Sequence, residues 1–160
     1  MRKLNKKHRI LSGVVFIIYL VFLIYFMFFA EGLGRGIVSS EYKYNLIPFK
    51  EISRFIKYWK ILGVGAVAAN LLGNVVAFVP FGMFLPGLIN NRYSYFGMAV
   101  LSFDMSLLIE LLQLASKVGS FDVDDLILNT VGGLIGYCIF RYLFKRRKGI
   151  ETEHGESKVQ

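Results

Sequence analysis

Hydrophobic residues along this chain fall into four long runs separated by short polar segments. Residues 10–30 carry no charge, and 21 residues of helix reach roughly 31 Å, the thickness of a bilayer core. The basic residues before it, Arg2, Lys3, Lys6, Lys7 and Arg9, resemble a signal n-region. The run is too long for a signal h-region, and Phe28-Phe29-Ala30 is no cleavage site, so it reads as a retained span. A second charge-free run covers 61–89. As one helix it would measure roughly 43 Å, and Pro80 removes a backbone donor, so the span is drawn as 61–85 with a kink or an end near Pro80. The third run, 93–116, is interrupted by Asp104 and Glu110, and the fourth, 126–144, begins near Asn129 and ends near Arg141. The pattern predicts an all-α integral membrane bundle of four transmembrane helices within 10–144, a basic N-terminal segment 1–9, and a charged, disordered tail 145–160. No internal repeat is visible.

One loop has a pattern of its own. Within 31–60, Ile52, Phe55, Ile56 and Trp59 recur at helical spacing, with Lys50, Glu51, Arg54, Lys57 and Lys60 between them. This predicts an external amphipathic helix lying in the membrane interface, either as a functional surface or only to orient the entry into span two.

Charge placement then sets the orientation. Four spans put both termini on one side, which carries twelve Lys and Arg against seven on the other. The excess abuts the ends of the spans and predicts both termini in the cytoplasm. The net charge of +8 is thereby topological and is no nucleic-acid signal. Composition agrees: 55% of residues are hydrophobic and 19% charged, unlike a soluble domain. One cysteine, Cys138, and two peripheral histidines, His8 and His154, argue against a disulfide framework, a thiolate zinc site or a histidine dyad.

Polar residues inside the spans carry the functional signal, because an intramembrane charge costs ~2.5–3.5 kcal/mol on insertion scales and must face protein or water. With outer ends at Ile61, Ser116 and Leu126, Glu110 lies roughly 9 Å deep, Asn70 roughly 13 Å, and Gln113 and Asn129 roughly 4.5 Å. They gather in the outer half of the bilayer, around a cavity open to the outside. Glu110 and Gln113 share a face, as do Asn70 and Asn74. Asp122, Asp125 and Asn129 form one stripe, continued by Gly132, Gly133 and Gly136, where another helix can approach closely. Asp104 points elsewhere and is expected to pair with Arg141. Bland readings stand beside these: interhelical hydrogen bonds for the asparagines, helix capping for Asp122, Asp124 and Asp125, and a Lys117 partner for Glu110.

The segments NLIPF at 45–49, NVVAFVPFG at 74–82, IELLQ at 109–113 and SFDVDDLILNTVGGLIG at 120–136 resemble the VanZ-like family of bacterial membrane proteins, named for an accessory protein of teicoplanin resistance. The resemblance covers about Asn45 to Phe144. It implies a multi-pass protein of the bacterial cell membrane, associated with lowered lipoglycopeptide susceptibility. It also implies a grouping with membrane enzymes that act on lipid head groups or lipid-linked sugars. The family's polar positions then fall on Asn45, Asn74, Glu110, Gln113, Asp122, Asp125 and Asn129. This chain departs from the pattern in reading KVGSFD where many members carry an Arg before the first Asp, so that role passes to Lys117.

Three functions compete. The first is hydrolysis or transfer at a phosphoester of a membrane lipid or lipid-linked cell-wall precursor in the outer leaflet. Glu110 would be the general base, and Asp122 and Asp125 would move protons or hold a divalent cation such as Mg²⁺ or Mn²⁺. Asn45, Asn74, Gln113, Asn129 and Lys117 would bind the head group. The second is non-catalytic binding of an envelope lipid or antibiotic, or modulation of a cell-wall enzyme. The third is transport by a proton relay, for which four spans without repeats offer little room.

Overall fold

The structure is a computed structural model, and it describes residues 6–29, 41–89 and 93–156. Arg35, Arg92 and the extreme N-terminal basic residues lie outside them. In chain order the elements are α1 (Lys6–Phe29), β1 (Lys43–Asn45), α2 (Lys50–Lys57), α3 (Trp59–Leu62), α4 (Val64–Ile89), α5 (Tyr95–Ser116), β2 (Ser120–Asp122) and α6 (Val123–Glu156). Four helical stretches, Ile10–Phe29, Val64–Ile89, Tyr95–Ser116 and Val123–Leu143, are long and apolar enough to cross a membrane. The all-α reading holds, with one addition. The three-residue strands β1 and β2 pair in parallel, with Lys43 opposite Ser120 and Asn45 opposite Asp122.

Three boundaries differ from the sequence pattern. α4 continues as helix through Pro80 and Pro86 to Ile89, so the span does not end at Pro80, and α6 packs against α4 where the prolines cost it hydrogen bonds. The amphipathic segment is split at Tyr58 into α2 and α3, and Gly63, with φ at 85°, turns the chain into α4. The charged tail expected to be disordered continues α6 as helix to Glu156, since extending an existing helix costs far less than nucleating one.

α6 is the axis of the bundle. Its glycines touch neighbouring helices directly: a Cβ on Gly132 or Gly136 would overlap the carbonyl of Val75 or Val79 on α4, and one on Gly133 would overlap Ser102 on α5. Gly82 of α4 answers from the other side against the carbonyl of Gly133. This is the close approach that the glycine stripe predicted. α1 packs outside, where the Tyr19 hydroxyl donates to the Ala77 carbonyl at 2.8 Å. Leu23, Met27, Phe78, Phe81, Met98, Ile109 and Tyr137 form the apolar core. The expected Asp104–Arg141 pair does not form. Asp104 is exposed on α5, and the Arg141 guanidinium lies 5.3 Å from the Tyr95 ring and 5.9 Å from the Tyr137 ring. Flat guanidinium groups stack well on aromatic faces, and the tyrosines are within reach where Asp104 is not.

Candidate functional site

The loop between α5 and α6 builds the site. Lys117, in the left-handed conformation with φ at 56°, ends α5. β2 then brings the chain back, and Asp122 starts α6 as its N-cap, its Oδ1 accepting the Asp124 N–H at 2.9 Å. The same oxygen accepts the Asn45 Nδ2 at 3.1 Å, so the β1–β2 register is locked by a side-chain bond between its last opposed pair. Asn45 Oδ1 in turn accepts the Ile47 N–H at 3.3 Å and shapes the turn after β1.

Glu110 sits directly beneath. It is 1% exposed, and its Oε2 accepts the backbone N–H of Asp122 at 2.9 Å. Asp125, one turn into α6, accepts the Asn74 side-chain amide of α4. Asn129 is fully buried and donates to Ser106 Oγ at 2.8 Å. Gln113 donates to the Met27 carbonyl at 2.7 Å and ties α5 to the end of α1. Six of the sequence-selected residues thus fall into three bonded sets, with Asn45 and Glu110 on Asp122, Asn74 on Asp125, and Asn129 on Ser106, while Gln113 joins the neighbouring helix. Lys117 lies at the rim, its ammonium 4.6 Å from the Tyr42 ring centroid. Asn70 stays apart and donates to Ala66 of its own helix at 2.9 Å.

The electrostatics of the frame are those of buried acids. Burial pushes the Asp122 carboxyl above the ordinary value of 3.8. The Asp124 backbone N–H and the Asn45 amide oppose this, and the carboxylates of Asp124 and Glu51 add to the rise.

Two contributions escaped sequence reasoning. Asp124, 1% exposed, accepts the backbone N–H groups of Phe49, of Glu51 at 2.8 Å and of Ile52 at 3.0 Å. It caps the first turn of α2 from 72–75 residues away in sequence and clamps that helix to the start of α6. Ser102 and Ser106 extend the Glu110 stripe down α5 at a spacing of four, and both are fully buried. That spacing is visible in the sequence and was the available signal. Ser102 Oγ and Asn129 Oδ1 are buried without a hydrogen-bond partner, which is costly in an apolar bundle. Among the described residues no three His, Cys, Asp or Glu side chains converge as a metal site would require. The two carboxylates expected to hold a divalent cation turn oxygens to other donors, Asp122 to the Asp124 N–H and the Asn45 amide and Asp125 to the Asn74 amide, so this donor set does not fit one.

Comparison with known proteins follows the same segments. The profile of the VanZ/LLP1 family matches residues 16–145, from α1 through the membrane-spanning part of α6. The chain belongs to the VanZ/LLP1 family. Protein VanZ of Enterococcus faecium is 29% identical over 117 residues, covering 71% of this chain and 57% of that protein. The chain therefore matches little more than half the length of that VanZ relative. No solved structure matches it. For this VanZ/LLP1 protein, the matched region contains Asn45, Asn74, Glu110, Gln113, Asp122, Asp125 and Asn129, so the polar cluster lies wholly inside the family domain.

Proposed function

We propose that the polar cluster takes the head group of an envelope lipid or lipid-linked cell-wall precursor, and that Glu110 serves as general base for hydrolysis or transfer at its phosphoester. The observation that carries this reading is the presence of two carboxylates, the buried Glu110 and the half-buried Asp125, among amides and hydroxyls inside an otherwise apolar four-helix bundle. Such groups are expensive in a membrane and are kept there by function. Glu110 takes the proton of the attacking water or hydroxyl as its oxygen bonds to phosphorus and the bond to the leaving oxygen breaks. Asp125, held by Asn74, would pass a proton to that leaving oxygen, and Asn129 offers an unused acceptor to a hydroxyl or amide of the head group. Asn45, Asp122 and Gln113 hold the frame, and Lys117 attracts phosphate at the rim. The protein sits in the bacterial cell membrane with both termini in the cytoplasm and the site in the outer half. A role in lowered teicoplanin-type susceptibility follows from the family's name-giving member.

A second reading, a non-catalytic lipid binder, is favoured by one contact. Glu110 also caps the Asp122 N–H, which is a structural task. Glu110→Gln separates the two, because an amide oxygen can keep that bond but cannot act as a base. Under the enzyme reading the variant reaches the membrane at normal levels and loses the susceptibility phenotype. Persistence of the phenotype removes Glu110 from the chemistry and leaves the binder.

A further inference from the structure

The segment Tyr42–Leu62 covers the site end of the bundle and is not explained by the buried cluster. It holds five cations, Lys43, Lys50, Arg54, Lys57 and Lys60, and one acid, Glu51, which is paired with Arg54. All five cations are exposed. The charge rule for membrane topology puts cations at the opposite end of the bundle, so this excess calls for a partner of negative charge.

Large apolar groups are interleaved with the cations. The helical stripe is divided: Ile52 and Phe55 are half-buried, whereas Ile56 is 60%, Trp59 46% and Ile61 82% exposed. The segment therefore packs on the protein through one edge and presents a second apolar edge outward. Cationic heads are held beside its aromatic rings. Arg54 lies 5.0 Å from the Phe55 ring, Lys57 5.5 Å from Tyr58, and Lys60 5.7 Å from Trp59. Aromatic rings of this kind settle at the level of lipid head groups, which places the adjoining cations at the depth of the phosphates.

The surface is also held in place. Asp124 clamps the first turn of α2, and the β1–β2 pairing fixes the chain before it. Its charges thus approach the leaflet as a preset array and need no folding on contact.

We propose that Tyr42–Leu62 is a recognition surface for anionic phospholipid head groups in the leaflet at the site end of the bundle. This stands apart from the chemistry assigned to Glu110 and does not depend on it. A soluble anionic polymer would make no use of the exposed Ile56, Trp59 and Ile61, and a zwitterionic leaflet would make no use of the cations.

Trp59 is the only tryptophan in the chain, so its fluorescence reports on this surface alone. The full-length protein is reconstituted in vesicles of phosphatidylcholine containing phosphatidylglycerol, with bromine on the upper acyl carbons of one lipid or the other. Brominated phosphatidylglycerol should quench Trp59 at a several-fold lower mole fraction than brominated phosphatidylcholine, since one cation at an anionic surface gives roughly a fivefold preference. High salt should erase the difference, and a Lys57→Gln/Lys60→Gln variant should reduce it. Equal quenching by the two lipids in the wild type would overturn the proposal. So would quenching by aqueous iodide with none by either brominated lipid, the result expected if the surface meets a soluble polymer or protein. The wild-type comparison decides the matter even where the variant fails to fold.

Discussion

Replacing Asp124 by Asn should release α2 from the bundle while leaving the spans intact. Asp124 is a buried carboxylate that accepts three backbone N–H groups from the first turn of α2, those of Phe49, Glu51 and Ile52. Asn offers one acceptor oxygen and turns a donor toward N–H groups that need an acceptor. The change removes a charge-assisted bond worth ~1.5–3 kcal/mol and leaves a buried donor unsatisfied at a cost of ~1–3 kcal/mol, so roughly 3 kcal/mol of local stability is lost. α2 has no buried residue to compensate and only eight residues to sustain itself. At 1.4 kcal/mol per factor of ten, the amides of Glu51 and Ile52 should exchange with solvent on the order of a hundredfold faster. Hydrogen exchange read by mass spectrometry on the detergent-solubilised protein measures this directly. Amides of α5 in the same sample serve as the control. Unchanged protection at 51 and 52 would refute the clamp, and a uniform acceleration through α5 would assign Asp124 to global stability instead.

Other expectations follow from the packing and the buried frame. Gly82→Ala or Gly136→Ala should lower thermal stability by at least ~1–3 kcal/mol, because the added methyl meets a neighbouring backbone that cannot retreat. Gly65→Ala, with open space around it on α4, should raise stability by up to ~0.5–1 kcal/mol, and the opposite signs can be read in one set of melting curves. Asp122 holds its proton more tightly in the folded chain than in the unfolded one. Its stabilising share is therefore full below its unfolded value of about 3.8 and is lost as pH rises through the higher folded value. Asp122→Asn, which retains a capping oxygen, should gain stability relative to wild type over that rise and flatten the pH dependence; a parallel pair of stability curves would contradict the assignment.

The spans were legible because each apolar run is bilayer length, and little else folds a run of 20 or more apolar residues. The site was legible for a related reason. Glu110, Asp125 and Asn129 are conspicuous where a side chain must otherwise be apolar, and their spacing put them on facing stripes. What escaped notice depends on distant partners. Asp124 reads as one more acid in a helix start until Phe49, Glu51 and Ile52 are brought to it. The β1–β2 pair is too short to show alternation and exists because Asn45 and Asp122 bond across it. The end of span two was misplaced for the converse reason: the local effect of Pro80 is to stop or kink a helix, and the tight contact between α4 and α6 keeps the chain helical to Ile89. Asp104 was assigned to Arg141 because an unpaired charge in a span is costly, and the two tyrosine rings beside Arg141 settle its place instead.

The claim that the buried cluster handles a lipid head group is tested most directly by native mass spectrometry with lipid extraction on the wild type and on Glu110→Gln. The account predicts one lipid-linked species that accumulates on the variant and turns over on the wild type. Equal retention of one species by both would keep the binding site and remove the catalysis. Bulk phospholipid alone on both proteins would contradict the account and reduce the cluster to packing.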